Sequence, residues 1–189
     1  GSNMLLTQDV NKLVIHVNLK GKEIIKENED FVWVKAAAGE NWHEFVLWCI
    51  DQNFGGIENM SLIPGNIGSA PIQNIGAYGV ELKDTFESCE ALLLDTLTLQ
   101  SFSKSDCHFG YRESIFKQDL KDKCIIVSVT LKLTKKNHVL HTQYGSIGEE
   151  MTKNNIVNPT IKDISNTVIA IRKSKLPDPK ELGNSGSFF

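Results

Sequence analysis

Residues 61–80, SLIPGNIGSAPIQNIGAYGV, constrain this chain more than any other stretch. They hold Gly65, Gly68, Gly76 and Gly79 together with Pro64 and Pro71, and almost no charge interrupts them. Gly55 and Gly56 lie just upstream. A core strand avoids this much glycine, and an idle surface loop is normally polar. Glycine reaches φ > 0 and lets main chain approach a neighbour closely. Ser69, Gln73 and Asn74 add hydrogen-bonding groups. The stretch reads as main chain wrapped against a large, flat, partly anionic molecule, with ordinary turns as the competing reading.

The rest of the composition narrows the classes. A chain of 189 residues makes one domain with a real core, or one domain plus a fragment. It is 41% hydrophobic and 23% charged, as globular domains are. A formal net charge of −3 gives no electrostatic case for nucleic acid or an anionic membrane. No apolar run approaches the ~20 residues of a membrane span, and the start lacks the pattern of a signal peptide. Cys49, Cys89, Cys107 and Cys124 are far apart and form no CxxC pair. They read as buried or incidental thiols of a reducing, cytoplasmic protein. His138 and His141 form an HxxH without acidic or thiol partners nearby, so no metal site is expected. Neither GxGxxG nor a Walker sequence occurs.

Periodicity predicts strands at 13–19, 30–37, 86–94, 98–103 and 124–133, with Asp95-Thr96 turning a hairpin. A first helix follows Asn41, which stands at capping-box spacing from Glu44. Trp42, Phe45, Val46, Cys49 and Ile50 lie on one face, and Gly55 ends it. A second helix spans 160–173, capped by Thr160 with Asp163, with Ile161, Ile164, Val168 and Ile171 on one face. Long strands in runs with two separated helices predict an α+β fold with a mixed or antiparallel sheet and flanking helices.

Four ordered segments then carry a resemblance. They are Gly56 to Gly79, Phe109-Gly-Tyr-Arg-Glu-Ser-Ile-Phe116, Lys175-Leu-Pro-Asp-Pro-Lys180, and Gly183-Asn-Ser-Gly-Ser-Phe-Phe189. Together they resemble the UDP-N-acetylenolpyruvoylglucosamine reductase family, also called UDP-N-acetylmuramate dehydrogenase, over nearly the whole chain. The resemblance implies an FAD-binding type-2 (vanillyl-alcohol-oxidase-like) second subdomain at 23–178. It also implies the end of a first flavin subdomain at 1–22 and the start of a substrate domain at 179–189. The rest of that domain, with its catalytic glutamate, has no counterpart here. Gly1-Ser2-Asn3 matches the tail of a family flavin loop, or is an expression scar.

The resemblance also assigns roles. FAD would be held by Pro64, Gly65, Ser69, Ile72, Gly76 and Gly79, with Ser2 and Asn3. NADPH would be the reductant. Arg112 would stabilise the enolate formed on hydride donation, and Ser187 would protonate the adjacent carbon. Without the resemblance, Arg112 reads as a surface arginine and Ser187 as part of a flexible end. Tyr111, Tyr144, Arg172 and Lys175 would contact a UDP-sugar, aromatic rings against the base and cations against the diphosphate. The implied reaction reduces UDP-N-acetylglucosamine enolpyruvate to UDP-N-acetylmuramate in peptidoglycan synthesis, by a cytoplasmic monomer. Two alternatives stand beside it: a non-catalytic flavin- or UDP-sugar-binding fragment of that enzyme, and a different flavin oxidase of the same broad fold.

Overall fold

The computed structural model describes residues 6–176; Ser2, Asn3 and Ser187 lie outside them. Among the described residues, seven strands and four α-helices occur in the order β1 (Lys22–Glu27), β2 (Phe31–Ala37), α1 (Trp42–Asp51), β3 (Gly76–Ala77), β4 (Val80–Glu81), α2 (Leu82–Thr85), β5 (Phe86–Leu93), β6 (Leu99–Ser103), β7 (Cys124–Thr134), α3 (Ile147–Lys153) and α4 (Ile161–Lys175). The main sheet has the order β1-β2-β7-β5-β6, and every pairing in it is antiparallel. β3 and β4 form a separate two-stranded ribbon. The architecture is α+β, as the runs of strands predict.

Alternation decides which side of the sheet is covered. Val32, Val34 and Ala36 on β2 pair with Leu133, Leu131 and Val129 on β7, and all six are buried. They pack with Trp42, Phe45, Val46 and Cys49 of α1 in the main core. Burying each Val, Leu or Phe side chain among them stabilises the fold by ~1.5–3 kcal/mol. The opposite face carries Lys35, Ser128 and Glu90, joined by a 2.6 Å ion pair and a 2.7 Å hydrogen bond. A second, smaller core gathers Ile147 and Met151 of α3 with Ile164, Val168 and Ile171 of α4 against Tyr78 and Leu140.

The helix signals hold at their starts. The Asn41 side chain accepts the Glu44 N–H, and Thr160 with Asp163 forms a full capping box. The first helix ends sooner than expected, at Asp51. Asn53 at φ 58° takes the left-handed position assigned to Gly55. Four strands fall within a residue of their expected bounds: β2, β5, β6 and β7.

The strand expected at 13–19 does not form. That segment is irregular, and Leu13, Val14 and Ile15 are 87%, 74% and 63% exposed. The free edge of β2 pairs instead with the charged stretch KEIIKE of β1, which alternation had not marked. A strand requires a partner edge as well as a pattern. α2, α3 and the β3–β4 ribbon also escaped the periodicity reading, because each is too short to display a period.

Candidate functional site

The glycine-rich segment is a succession of reversals pinned to the sheet and to α1. The Trp42 N–H donates to Gly65 O (3.0 Å), Ile67 N–H to Glu40 O (2.9 Å), and Gly68 N–H to Ala38 O (2.9 Å). A Cβ at Gly68 would lie 2.6 Å from the Ala38 Cβ, so only glycine allows this approach. Tyr78 (φ 50°) and Gly79 (φ 82°) sit at the apex of the β3–β4 ribbon, the left-handed pair of a type I′ turn. At Gly68, Gly76 and Gly79 the nearest neighbours of an added Cβ are other parts of this chain: Ala38, Val80 and Tyr144. These three glycines serve the packing of the segment itself, a role the sequence reading left to ordinary turns.

The segment is also the seat of Arg112. Tyr111 and Arg112 form the tip of a tight reversal closed by Gly110 N–H to Glu113 O (3.0 Å), with Arg112 at φ 53°. The guanidinium turns back onto the glycine-rich main chain, donating to Asn74 O (3.2 Å) and Gly76 O (2.6 Å). Two neutral carbonyls orient the cation without cancelling its charge, and among the described residues neither Arg112 nor Arg172 forms an ion pair. The nearest carboxylate in sequence, Glu113, is engaged elsewhere. It accepts from the Ser114 N–H and from Gln118, which hold its carboxyl below the usual range. The Tyr111 ring is 82% exposed, 5.3 Å from the Arg112 guanidinium carbon.

Arg172 meets Arg112 from the last turn of α4. The two line one groove of about 200 Å³ with Ile63, Gln73, Ile75 and Gly76. The Nε of Arg172 is buried with no hydrogen-bond partner among the described residues. A buried unpaired guanidinium donor beside an open groove is suited to an anionic or carbonyl-rich ligand. Below the groove, α4 is fixed to the turn at Glu58–Met60 by a 2.7 Å hydrogen bond between the buried hydroxyls of Ser61 and Ser165.

The remaining expected residues take other places. Pro64 and Ser69 are exposed, Ile72 is 39% exposed, and Gly65 is half-buried. Gly79 lies against the Tyr144 side chain, whose ring meets Tyr78 edge-on at 6.5 Å. Lys175 is exposed at the end of α4. His138, of the HxxH pair, shares a 2.6 Å hydrogen bond with the Thr134 hydroxyl. Cys49, Cys89 and Cys107 are buried and Cys124 is half-buried. Burial pushes the Cys49 and Cys124 thiols up.

Two supporting residues went unassigned in the sequence. The Nδ1 of His43 on α1 accepts the Leu62 N–H at 3.0 Å, bracing a left-handed Leu62 (φ 59°) just before Pro64-Gly65. Burial, then the charge of Lys173, lowers the His43 pKa, with Arg172 adding to this and Glu44 opposing it. Asn74 is fully buried and uses both ends of its amide. His43 belongs to no motif, and Asn74 stood out in the sequence only as one hydrogen-bonding group of the glycine-rich segment.

A sequence family described as an FAD binding domain matches residues 1–99, more than half of the chain. The chain belongs to the FAD-binding-domain family. Among relatives, the UDP-N-acetylenolpyruvoylglucosamine reductase of Flavobacterium johnsoniae is 67% identical over all of this chain and 56% of that protein. The protein of the same name from Pseudomonas aeruginosa is 49% identical over all of this chain and 55% of its own length. This FAD-binding-domain chain thus spans about half the length of the curated relatives it matches. The crystal structure of UDP-N-acetylenolpyruvylglucosamine reductase from Thermus caldophilus superposes with a TM-score of 0.54, at 22% identity, over 75% of this chain and 44% of that one. At that identity the likeness concerns the fold.

Proposed function

We propose that this chain is part of an FAD-dependent, NADPH-using UDP-N-acetylenolpyruvoylglucosamine reductase. The enzyme would convert UDP-N-acetylglucosamine enolpyruvate to UDP-N-acetylmuramate for peptidoglycan synthesis, in the cytoplasm. The observation that carries this reading is the convergence of Arg112 and Arg172 on one groove, with Arg112 anchored to the glycine-rich main chain. The names of the relatives supply the substrate.

The flavin, when bound, supplies hydride transfer between nicotinamide and substrate. Pro64, Gly65, Ser69, Ile72, Gly76 and Gly79, with Ser2 and Asn3, would hold it. The groove itself is too small for a whole dinucleotide, so it would take only a reacting edge. Arg112, pre-oriented by two carbonyls, stabilises negative charge as the enolpyruvyl carboxylate becomes enolate-like. Arg172 and Lys175 hold the diphosphate, and Tyr111 and Tyr144 face the nucleoside. Ser187 delivers the proton to the adjacent carbon. The subdomain bounds at 22 and 178 belong to the same proposal.

Arg112→Ala in the full-length protein is expected to lower turnover by ~100-fold or more with flavin still bound. Unchanged turnover would overturn the assignment.

One observation favours a second reading for the 189-residue chain alone, that of a non-catalytic piece of the enzyme. Leu6, Leu13, Val14, Ile15, Leu19, Ile24 and Ile25 are exposed along one end of the chain, a surface that isolated domains normally cover. On that reading the chain, purified alone, is expected to be colourless. Flavin absorbance in stoichiometric amount would overturn that second reading.

A further inference from the structure

Arg112 can serve its proposed role only if its loop is held against the glycine-rich segment, and side chains rather than sheet pairing do the holding. Among the described residues, the loop at 110–114 bridges only with itself, through Gly110 and Glu113. Its fastenings to the segment are few. The Ser114 hydroxyl donates to Ile72 O at 2.7 Å, and the guanidinium donates to Asn74 O and Gly76 O. The last is Asn74, whose Nδ2 donates to Gly110 O at 2.9 Å.

Asn74 stands at the junction of three segments. Its Oδ1 accepts the Lys83 N–H at 3.0 Å, at the start of α2. Its own carbonyl accepts from Arg112. It is 0% exposed and sits at φ 42°, a conformation that asparagine tolerates and β-branched or bulky residues do not. The side chain therefore ties the Arg112 loop to the helix that follows the ribbon, from a residue two places before Gly76. Either end of the amide, left unpaired in this buried place, would cost more than the bond it makes.

We propose that Asn74 is a positioning residue for Arg112: it holds the loop so that the guanidinium rests on the Asn74 and Gly76 carbonyls and faces the groove. The proposal rests on the reductase reading for its kinetic consequence, but its structural content does not need a flavin.

Two variants of the full-length protein test it. Asn74→Asp keeps the acceptor for Lys83 and the tolerance of positive φ, but replaces the donor to Gly110 by an oxygen. Asn74→Gly accepts the backbone conformation and removes both bonds. In the flavin-free protein, amide hydrogen exchange at Gly110 and Glu113 should quicken at least ~10-fold in either variant, while the α4 amides are unmoved. With flavin and substrates, kcat should fall ~10–100-fold with KM changed far less, since a displaced catalytic group is lost mainly in the transition state. The double variant Asn74→Asp with Arg112→Ala should be no slower than Arg112→Ala alone. If Asn74→Gly does not fold, Asn74→Asp carries the test. Multiplying effects in the double variant, or unchanged exchange at Gly110 and Glu113, would overturn the proposal. If Arg112→Ala alone leaves turnover unchanged, it is the reductase role of Arg112 that falls; the exchange measurement still judges the tether.

Discussion

The guanidinium of Arg112 donates a 2.6 Å hydrogen bond to the carbonyl of Gly76, joining a hairpin tip to a glycine 36 residues away in sequence. This bond turns an arginine that could have been a solvated surface charge into an oriented cation at the wall of a groove. Gly76 itself is intolerant of a side chain, first because of the ribbon and then because of the arginine. A Cβ there would sit 2.6 Å from the Val80 carbonyl oxygen and 3.0 Å from Nη1 of Arg112.

Gly76→Ala should therefore disturb the ribbon and the arginine together. Forcing a methyl into this space costs about 1–3 kcal/mol. A lowered thermal midpoint accompanied by loss of turnover in the full-length protein is the expected outcome. Normal stability with normal turnover would show that the ribbon can shift aside.

His43 should impose a pH dependence on stability. Its Nδ1 accepts the Leu62 N–H, so the folded chain needs the neutral ring, and its pKa lies below the ordinary value of 6.5. Burial and Lys173 are the main causes. A depressed pKa means that the unfolded chain binds the proton first as the pH falls. This contribution is intact above about pH 6.5 and is lost progressively as the pH drops toward the folded pKa. His43→Gln cannot take up that proton. Urea midpoints measured at pH 7.5 and 5.5 should diverge less for the variant than for the parent chain. Equal divergence would remove His43 from the explanation.

Thr160 anchors the helix that presents Arg172. Its side chain caps the Asp163 N–H at 3.2 Å, and the Asp163 carboxylate accepts the Thr160 N–H at 2.9 Å. Thr160→Ala should cost ~1 kcal/mol. On a domain of this size that is a fall of ~2–4 °C in the thermal midpoint, with the other helix start, at Asn41, unaffected.

Local chemistry and residue pattern account for much of this protein. Strand alternation in 124–133, the apolar face of Trp42, Phe45, Val46 and Cys49, and the caps at Asn41 and Thr160 act over a few residues, so they are legible in order along the chain. The density of glycine at 61–80 likewise marked close approach of main chain, seen at Gly68 against Ala38. Pairing was not legible. The segment 13–19 has a strand pattern but no edge to join, whereas the charged KEIIKE finds the edge of β2 and forms β1.

The candidate site lies on the far side of the same divide. The family resemblance named Arg112 and Arg172 separately, yet their shared groove exists because α4 packs through Ser165 on Ser61 and the Arg112 loop is tied to Asn74. His43 lies in an ordinary helix and Asn74 in the glycine-rich segment, yet both acquire their roles from partners 19 and 36 residues away. Composition and periodicity determined which elements can form, because those preferences are local. Only tertiary packing decided which carbonyl faces which donor, because that depends on every element between them.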